Sequence, residues 1–219
     1  MIVTHPVSCI LLTVIDNFAL FEESRRPWLA PDSLKAKFIA YSAACHPDRF
    51  HMAPEPDRMA AQQRYLRLNA AYQCLREPKD RLLHLLELEL GSKPKATQPI
   101  AADTMELFME VGALCRNVDA FLAEKSKVTS PLLKVRCFEK GMQWTEALNA
   151  LRQKIVVRNL ELNRELTALN AAWEGAPVAS DESRRTRLPL ARLEQIYRVF
   201  SYVARWTGQL EERLVQLAL

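Results

Sequence analysis

Apolar residues recur along this chain at helical rather than strand spacing. Leu34, Phe38, Tyr41 and Cys45 follow a 4-3-4 rhythm, which lays one apolar stripe along a helix. Pro31, Asp32 and Ser33 stand at its start, where a first-turn proline and capping side chains belong. Pro47 drives the residue before it out of helical geometry, so this helix ends at Cys45 or His46. Pro54 and Pro56 keep the following stretch open. Ala61, Tyr65, Leu68, Tyr72 and Leu75 then repeat at 4-3-4-3, which predicts a second helix from about Asp57 to Glu77, before Pro78. Two such stripes, so closely connected, pack on one another as an antiparallel hairpin. A short helix over "NFALFEE", from Asn17, precedes the hairpin, and "DRLLHLLELEL" after Pro78 supplies a fourth element.

Gly91, Pro94 and Pro99 interrupt the pattern within residues 90–103. Beyond them the pattern predicts three helices. The first spans roughly 103–124, with Asp103 or Thr104 as its cap. The second runs from Pro131 to Trp173, with Trp144, Leu148, Leu151, Ile155, Leu162, Leu166, Leu169 and Trp173 in a 3-4 rhythm skipped once at Arg158-Asn159. A second breaker region covers 173–189, and the third helix carries Leu193, Ile196, Phe200, Val203, Leu210, Leu214 and Leu217. Such seams assemble into an antiparallel bundle. The expected fold is all-α: an N-terminal domain over 16–90 built on the hairpin, and a C-terminal three-helix antiparallel bundle over 103–219.

Composition narrows the function more than the fold. Lys+Arg 30 against Asp+Glu 26 leaves a net charge of only +4, which does not point to nucleic acid. The five cysteines form no C-x-x-C, and Cys45, His46 and His51 lack zinc-ligand spacing, so no metal site is expected. An odd count without a disulfide pattern fits a reducing, cytoplasmic compartment. The opening "MIVTHPVSCILLTVID" lacks a basic start and a cleavage site, and reads as a short extra segment or start-site artefact rather than a signal peptide. No apolar run reaches membrane-spanning length, so no membrane partner is expected. No nucleophile–base set or pair of carboxylates converges at usable spacing, so the chain is not expected to be an enzyme or to carry a cofactor.

The candidate chemistry sits between the two hairpin helices, in "ACHPDRFH". His46, Pro47 and Asp48 there form a compact, charged triplet at an exposed tip. Together with "NFALFEE", a proline-containing loop "RFHMAPEP", "LNAAYQCLREPKDRLLHLL" and a separate helical C-terminal part, it resembles the HscB type of J-protein. The resemblance covers residues 16–90, and extends over 103–219 by layout, with "FMEV" at 108–111 and "QLEERL" at 209–214. It implies a J domain that stimulates the ATPase of an HscA/DnaK-type chaperone. Asp48 would offer a carboxylate to a chaperone arginine, Pro47 would fix the backbone, and His46 would pack beside them. Lys35, Lys37 and Arg49 would complete the chaperone-binding surface.

The J-domain helix before the triplet is often basic on its outer face. Here only Lys35 and Lys37 are basic on "SLKAKFIAYSAAC", and Arg58, Arg64 and Arg67 on the next helix either substitute for that charge or form a solvated face. The resemblance also implies that the bundle holds an IscU-like iron–sulfur scaffold protein and delivers it for cluster transfer. The corresponding patch is Phe108, Met109, Gly112, Arg116 and Val199, with Ala113 and Arg116 where glutamates are expected. Met109 suits a core or a surface role equally. Two alternatives stand beside this reading: a J-domain co-chaperone with a different client, and a helical adaptor with an inactive J domain.

Overall fold

The structure is a computed structural model, which describes residues 15–94, 102–177 and 182–218. The expectations for the segment before residue 15 and for the centre of the first breaker stretch lie outside the described residues, as does the side chain of Asp103, whose backbone is already in a helix that begins at Ala102. Among the described residues eight α-helices follow one another: α1 (Asn17–Leu20), α2 (Pro31–Ala44), α3 (Glu55–Arg76), α4 (Pro78–Leu90), α5 (Ala102–Lys125), α6 (Pro131–Glu174), α7 (Glu182–Arg187) and α8 (Leu190–Ala218). A 3-10 turn over Pro47–Phe50 joins α2 to α3, and the described residues contain no strand. The all-α architecture is as expected; α7 is an addition.

Two local details differ from the sequence pattern. Helix α1 stops after one turn because Glu22 adopts a left-handed φ of 51°. Such a conformation in a non-glycine residue costs on the order of 1–3 kcal/mol, and Lys37 holds it. The Lys37 Nζ donates to the carbonyls of Phe21 and Glu22 and pairs with Glu23 Oε1 at 2.6 Å. Helix α2 begins as predicted at Pro31, but its N-cap position is Ala30 and no side chain caps it. Asp32 instead lies in the first turn, where a carboxylate favours the helix dipole.

Packing draws the helices around two apolar cores. Phe18, Phe21, Leu34, Leu68 and Leu75 of the N-terminal helices share one core with Leu162, Leu166 and Trp173 of α6 and Leu193, Ile196 and Phe200 of α8. Leu82, Leu85 and Leu86 of α4 lie at its centre, fully buried. Each buried leucine contributes about 1.5–3 kcal/mol. The second core joins Val111, Cys115 and Val118 of α5 to Leu148, Leu151 and Ile155 of α6 and Val203, Trp206 and Leu210 of α8. The skipped beat at Arg158-Asn159 marks the crossing point: Ile155 belongs to the second core and Leu162 to the first. Helix α6, roughly 66 Å long at 1.5 Å per residue, is the spine common to both.

Polar bonds tie α4 and the loop before α2 to the rest. Arg81, 4% exposed, donates to the carbonyls of Pro27, Leu75 and Arg76. Its guanidinium thereby takes up carbonyls at the end of α3 that no helical N–H reaches, and burial lowers its pKa to about 10. Asn170 of α6 pairs with both backbone groups of Trp28, at 3.0 Å each.

Candidate functional site

Pro47 dictates the geometry of the hairpin tip. The residue before it, His46, is extended (φ −61°, ψ 132°), so α2 ends and the chain turns outward. Cys45, buried at the end of α2, anchors the turn by donating its thiol to the Tyr41 carbonyl. The His46 ring lies edge-on to Tyr65 of α3, with centroids 5.3 Å apart. Its Nδ1 accepts the Asp48 backbone N–H at 3.3 Å and so caps the 3-10 turn. The Asp48 carboxylate lies 3.4 Å from the same nitrogen. That side chain is 89% exposed. His51 Nδ1 meets the Asp48 carbonyl at 2.6 Å, and Arg49 donates to the Ala43 carbonyl. Both backbone groups of Asp48 are held, and the carboxylate is left outward.

The basic residues expected around the tip divide into two groups. Lys37 is committed to the end of α1 and is not available as an outward charge. Lys35 is exposed and forms no ion pair among the described residues. The rest of the outer face of α2, comprising Ala36, Ile39, Ala40 and Ala43, is exposed, small and apolar, and Ile39 is 56% exposed. Arg64 and Arg67 of α3 are exposed and unpaired among the described residues. They line a groove of about 450 Å³ with Leu20, Glu22 and Tyr41. Arg58 is paired with Glu55.

The second set of expected residues lies on the first turns of α5. Phe108 is 44% and Met109 60% exposed, so Met109 takes the surface role. The Phe108 ring rests against Tyr202 and Trp206 of α8, at centroid distances of 6.5 and 6.4 Å. Gly112 and Arg116 follow one and two turns on, and the Arg116 guanidinium lies over Gly112, 3.4 Å from where a Cβ would be. Ala113 and Arg116 are exposed. Val199 is half-buried and packs against both cores, apart from the Phe108 ring contacts. The aromatic partner that sequence reasoning missed is Tyr202, whose ring stacks on Trp206 at 5.7 Å. Its signal was present: Val199, Tyr202 and Trp206 fall at 3-4 spacing on one side of α8.

Among the described residues no group of three or more His, Cys, Asp or Glu is placed to hold a metal ion, and no helix is long and apolar enough to cross a membrane. No protein-family model matches the chain. Two solved structures are similar over most of it. Chaperone HscB from Vibrio cholerae superposes with a TM-score of 0.56 at 21% identity, covering 91% of this chain and 99% of that one. The human co-chaperone protein HscB superposes with a TM-score of 0.60 at 16% identity, covering 91% and 82%. At these identities the likeness is one of architecture, and the chain has the HscB-type fold: a helical hairpin with its His46-Pro47-Asp48 tip, joined to a bundle of long helices.

Proposed function

We propose that this protein is a non-catalytic J-domain co-chaperone of iron–sulfur cluster assembly. The J domain over residues 16–90 stimulates the ATPase of an HscA/DnaK-type chaperone, and the bundle over 103–219 delivers an IscU-like scaffold protein to it. The observation that carries this reading is the hairpin tip, where His46 caps the backbone of Asp48 and leaves the carboxylate 89% exposed. A carboxylate presented in this way suits a charge-assisted bond to a partner arginine. His46, Pro47 and Asp48 form the contact centre, with Arg49 and Lys35 beside it. Phe108, Met109, Gly112 and Arg116 form the scaffold-facing patch, with Val199 behind it.

The test is steady-state ATP hydrolysis by a purified DnaK-type chaperone. His46→Gln and Asp48→Asn are expected to abolish the stimulation while leaving helical circular dichroism unchanged. Absence of stimulation by the unaltered protein with every DnaK-type partner tried would sink the reading.

One observation favours a second client. Ala113 and Arg116 stand, exposed, where the resemblance implies carboxylates. A pull-down with purified IscU-type scaffold separates the two: stimulation of the chaperone without scaffold binding means the bundle serves another client.

A further inference from the structure

The first turns of α6 are unlike the rest of the bundle. From Pro131 to Lys140 every residue but Cys137 is exposed, on all sides of the helix. Leu132, Leu133, Val135, Phe138 and Met142 are 69%, 46%, 57%, 69% and 53% exposed. One side of this segment is concave. Lys134, Phe138, Gly141 and Met142 line a groove of about 460 Å³ whose opposite wall is Leu214 and Leu217 of α8. Residues 134, 138, 141 and 142 fall at the 3-4 spacing of a helix-packing face. A face of this kind ordinarily receives another helix, and among the described residues none covers it.

We propose that this groove binds an amphipathic helix with an acidic flank, contributed by a partner protein. The apolar floor selects a helix with a matching stripe, the helix-in-groove mode of recognition. The rim selects its charge. Residues 124–140 carry five basic side chains against two acidic ones. Lys127, Lys134 and Arg136 are exposed and form no ion pair among the described residues. Lys140 rests over the Phe121 ring at 5.6 Å, which leaves its charge at the surface. A second copy of this chain would bring one basic rim against another, which costs free energy. A flat lipid surface would meet Leu132 and Val135 but not the wall formed by Leu214 and Leu217. The groove is also distinct from the Phe108 patch: 17 residues of α5 separate Phe108 from Lys125, roughly 25 Å of helix. The inference therefore stands whether or not the bundle carries a scaffold protein.

The test is selection from a displayed library of 14-residue helical peptides with unbiased charge, panned on the full-length protein. Counter-selection uses Phe138→Glu. The expected winners have an i, i+3, i+4, i+7 apolar stripe and acidic flanks. By fluorescence anisotropy the best of them should lose at least tenfold in affinity with Phe138→Glu and with Lys134→Glu/Arg136→Glu, and should be unaffected by Phe108→Ala. Phe138 is exposed, so the fold should survive its replacement. If circular dichroism shows otherwise, the charge-reversal pair alone decides the matter. Four outcomes overturn the proposal. The first is a selection with no peptide sensitive to these changes, and the second is one with only neutral or basic flanks. The third is binding of phosphatidylserine vesicles through Phe138 where no peptide competes, which makes the occupant a membrane. The fourth is a dimer in sedimentation that Phe138→Glu dissociates, which makes the occupant a second copy.

Discussion

Glu89 and Arg184, 95 residues apart, meet in a bidentate ion pair with both bonds under 3 Å, at 2.8 and 2.7 Å. Their side chains are 1% and 8% exposed. Trp173 donates its indole N–H to the same carboxylate, and Arg185 donates to the Glu89 carbonyl. The cluster fastens the end of α4 to α6 and α7. Removing one partner strands a buried charge, which costs roughly 3–5 kcal/mol, whereas replacing both by apolar residues costs far less. Glu89→Leu or Arg184→Leu alone should therefore lower the urea midpoint strongly, and the double variant should recover much of the loss. Additive losses would mean that the pair is not a unit.

Docking of the chaperone should depend on α3 more than on α2. Among the described residues the outer face of α2 offers Lys35 as a cation without an ion pair, beside exposed apolar residues, while α3 offers Arg64 and Arg67. Arg64→Glu/Arg67→Glu should raise the concentration needed for half-maximal ATPase stimulation by about tenfold, the effect of ~1.4 kcal/mol. Lys35→Ala should change it about twofold or less, since one exposed charge contributes little. Lys37→Met is a different case: its bonds to Glu23 and two carbonyls hold the end of α1. It should lower stability by about 1–2 kcal/mol, while leaving stimulation by the folded protein intact.

The hairpin was legible because its stripes, Leu34 to Cys45 and Ala61 to Leu75, are local and periodic, and Pro47 and Pro78 punctuate them. The rhythm of α6 was legible too, but its interruption at Arg158-Asn159 says nothing by itself about two cores. That meaning needs the long-range partners, Val111 for one core and Phe18 for the other. Helix α7 was not legible. "ESRRTR" has no apolar stripe, and its worth lies in Arg184 reaching a carboxylate on α4. The commitment of Lys37 was hidden for the same reason, because its partners lie 14–16 residues upstream across a turn. At the α5 patch, the register of α8 decides that Tyr202 meets Phe108, a fact of packing rather than of local sequence.

Acid should weaken the protein through His84. Its ring is 7% exposed, stacks on Phe18, and its Nε2 accepts the Asn17 backbone N–H at 3.0 Å. Burial pushes its pKa below the ordinary histidine value, against a smaller upward pull from Asp16 and Glu87 and alongside a downward push from Arg25. The native state thus binds the proton less readily than the unfolded chain, so stability is whole above the unfolded pKa of about 6.5 and is lost as pH falls below it. For one proton the slope is at most about 1.4 kcal/mol per pH unit. Urea titrations between pH 7.5 and 5 should show this decline. In His84→Gln, whose side-chain oxygen can still accept from Asn17, the decline should flatten. An equal decline in that variant would place the titration elsewhere.

The proposed scaffold patch makes the sharpest demand on the α5 residues. Phe108 and Met109 are both exposed enough to bury further surface on binding, and Phe108 is already braced by Tyr202 and Trp206. With Ala113 and Arg116 in place of carboxylates, affinity for the scaffold has to come from apolar burial, at about 25 cal/mol per Å². Truncating an anchor of this kind costs roughly 2 kcal/mol or more. Phe108→Ala/Met109→Ala should therefore weaken scaffold binding by about thirtyfold or more, with little dependence on salt, since exposed charges are screened. The bundle should stay folded, because its core at this level is Val111, Leu151 and Trp206 rather than these two side chains. Tyr202→Ala separates bracing from contact. If Phe108 needs that brace, the variant should lose affinity without Tyr202 itself reaching the partner, and adding Phe108→Ala to it should cost less than Phe108→Ala does in the unaltered protein. Binding that survives the Phe108/Met109 change but falls steeply with salt would move the interaction to Arg116 and to an acidic client.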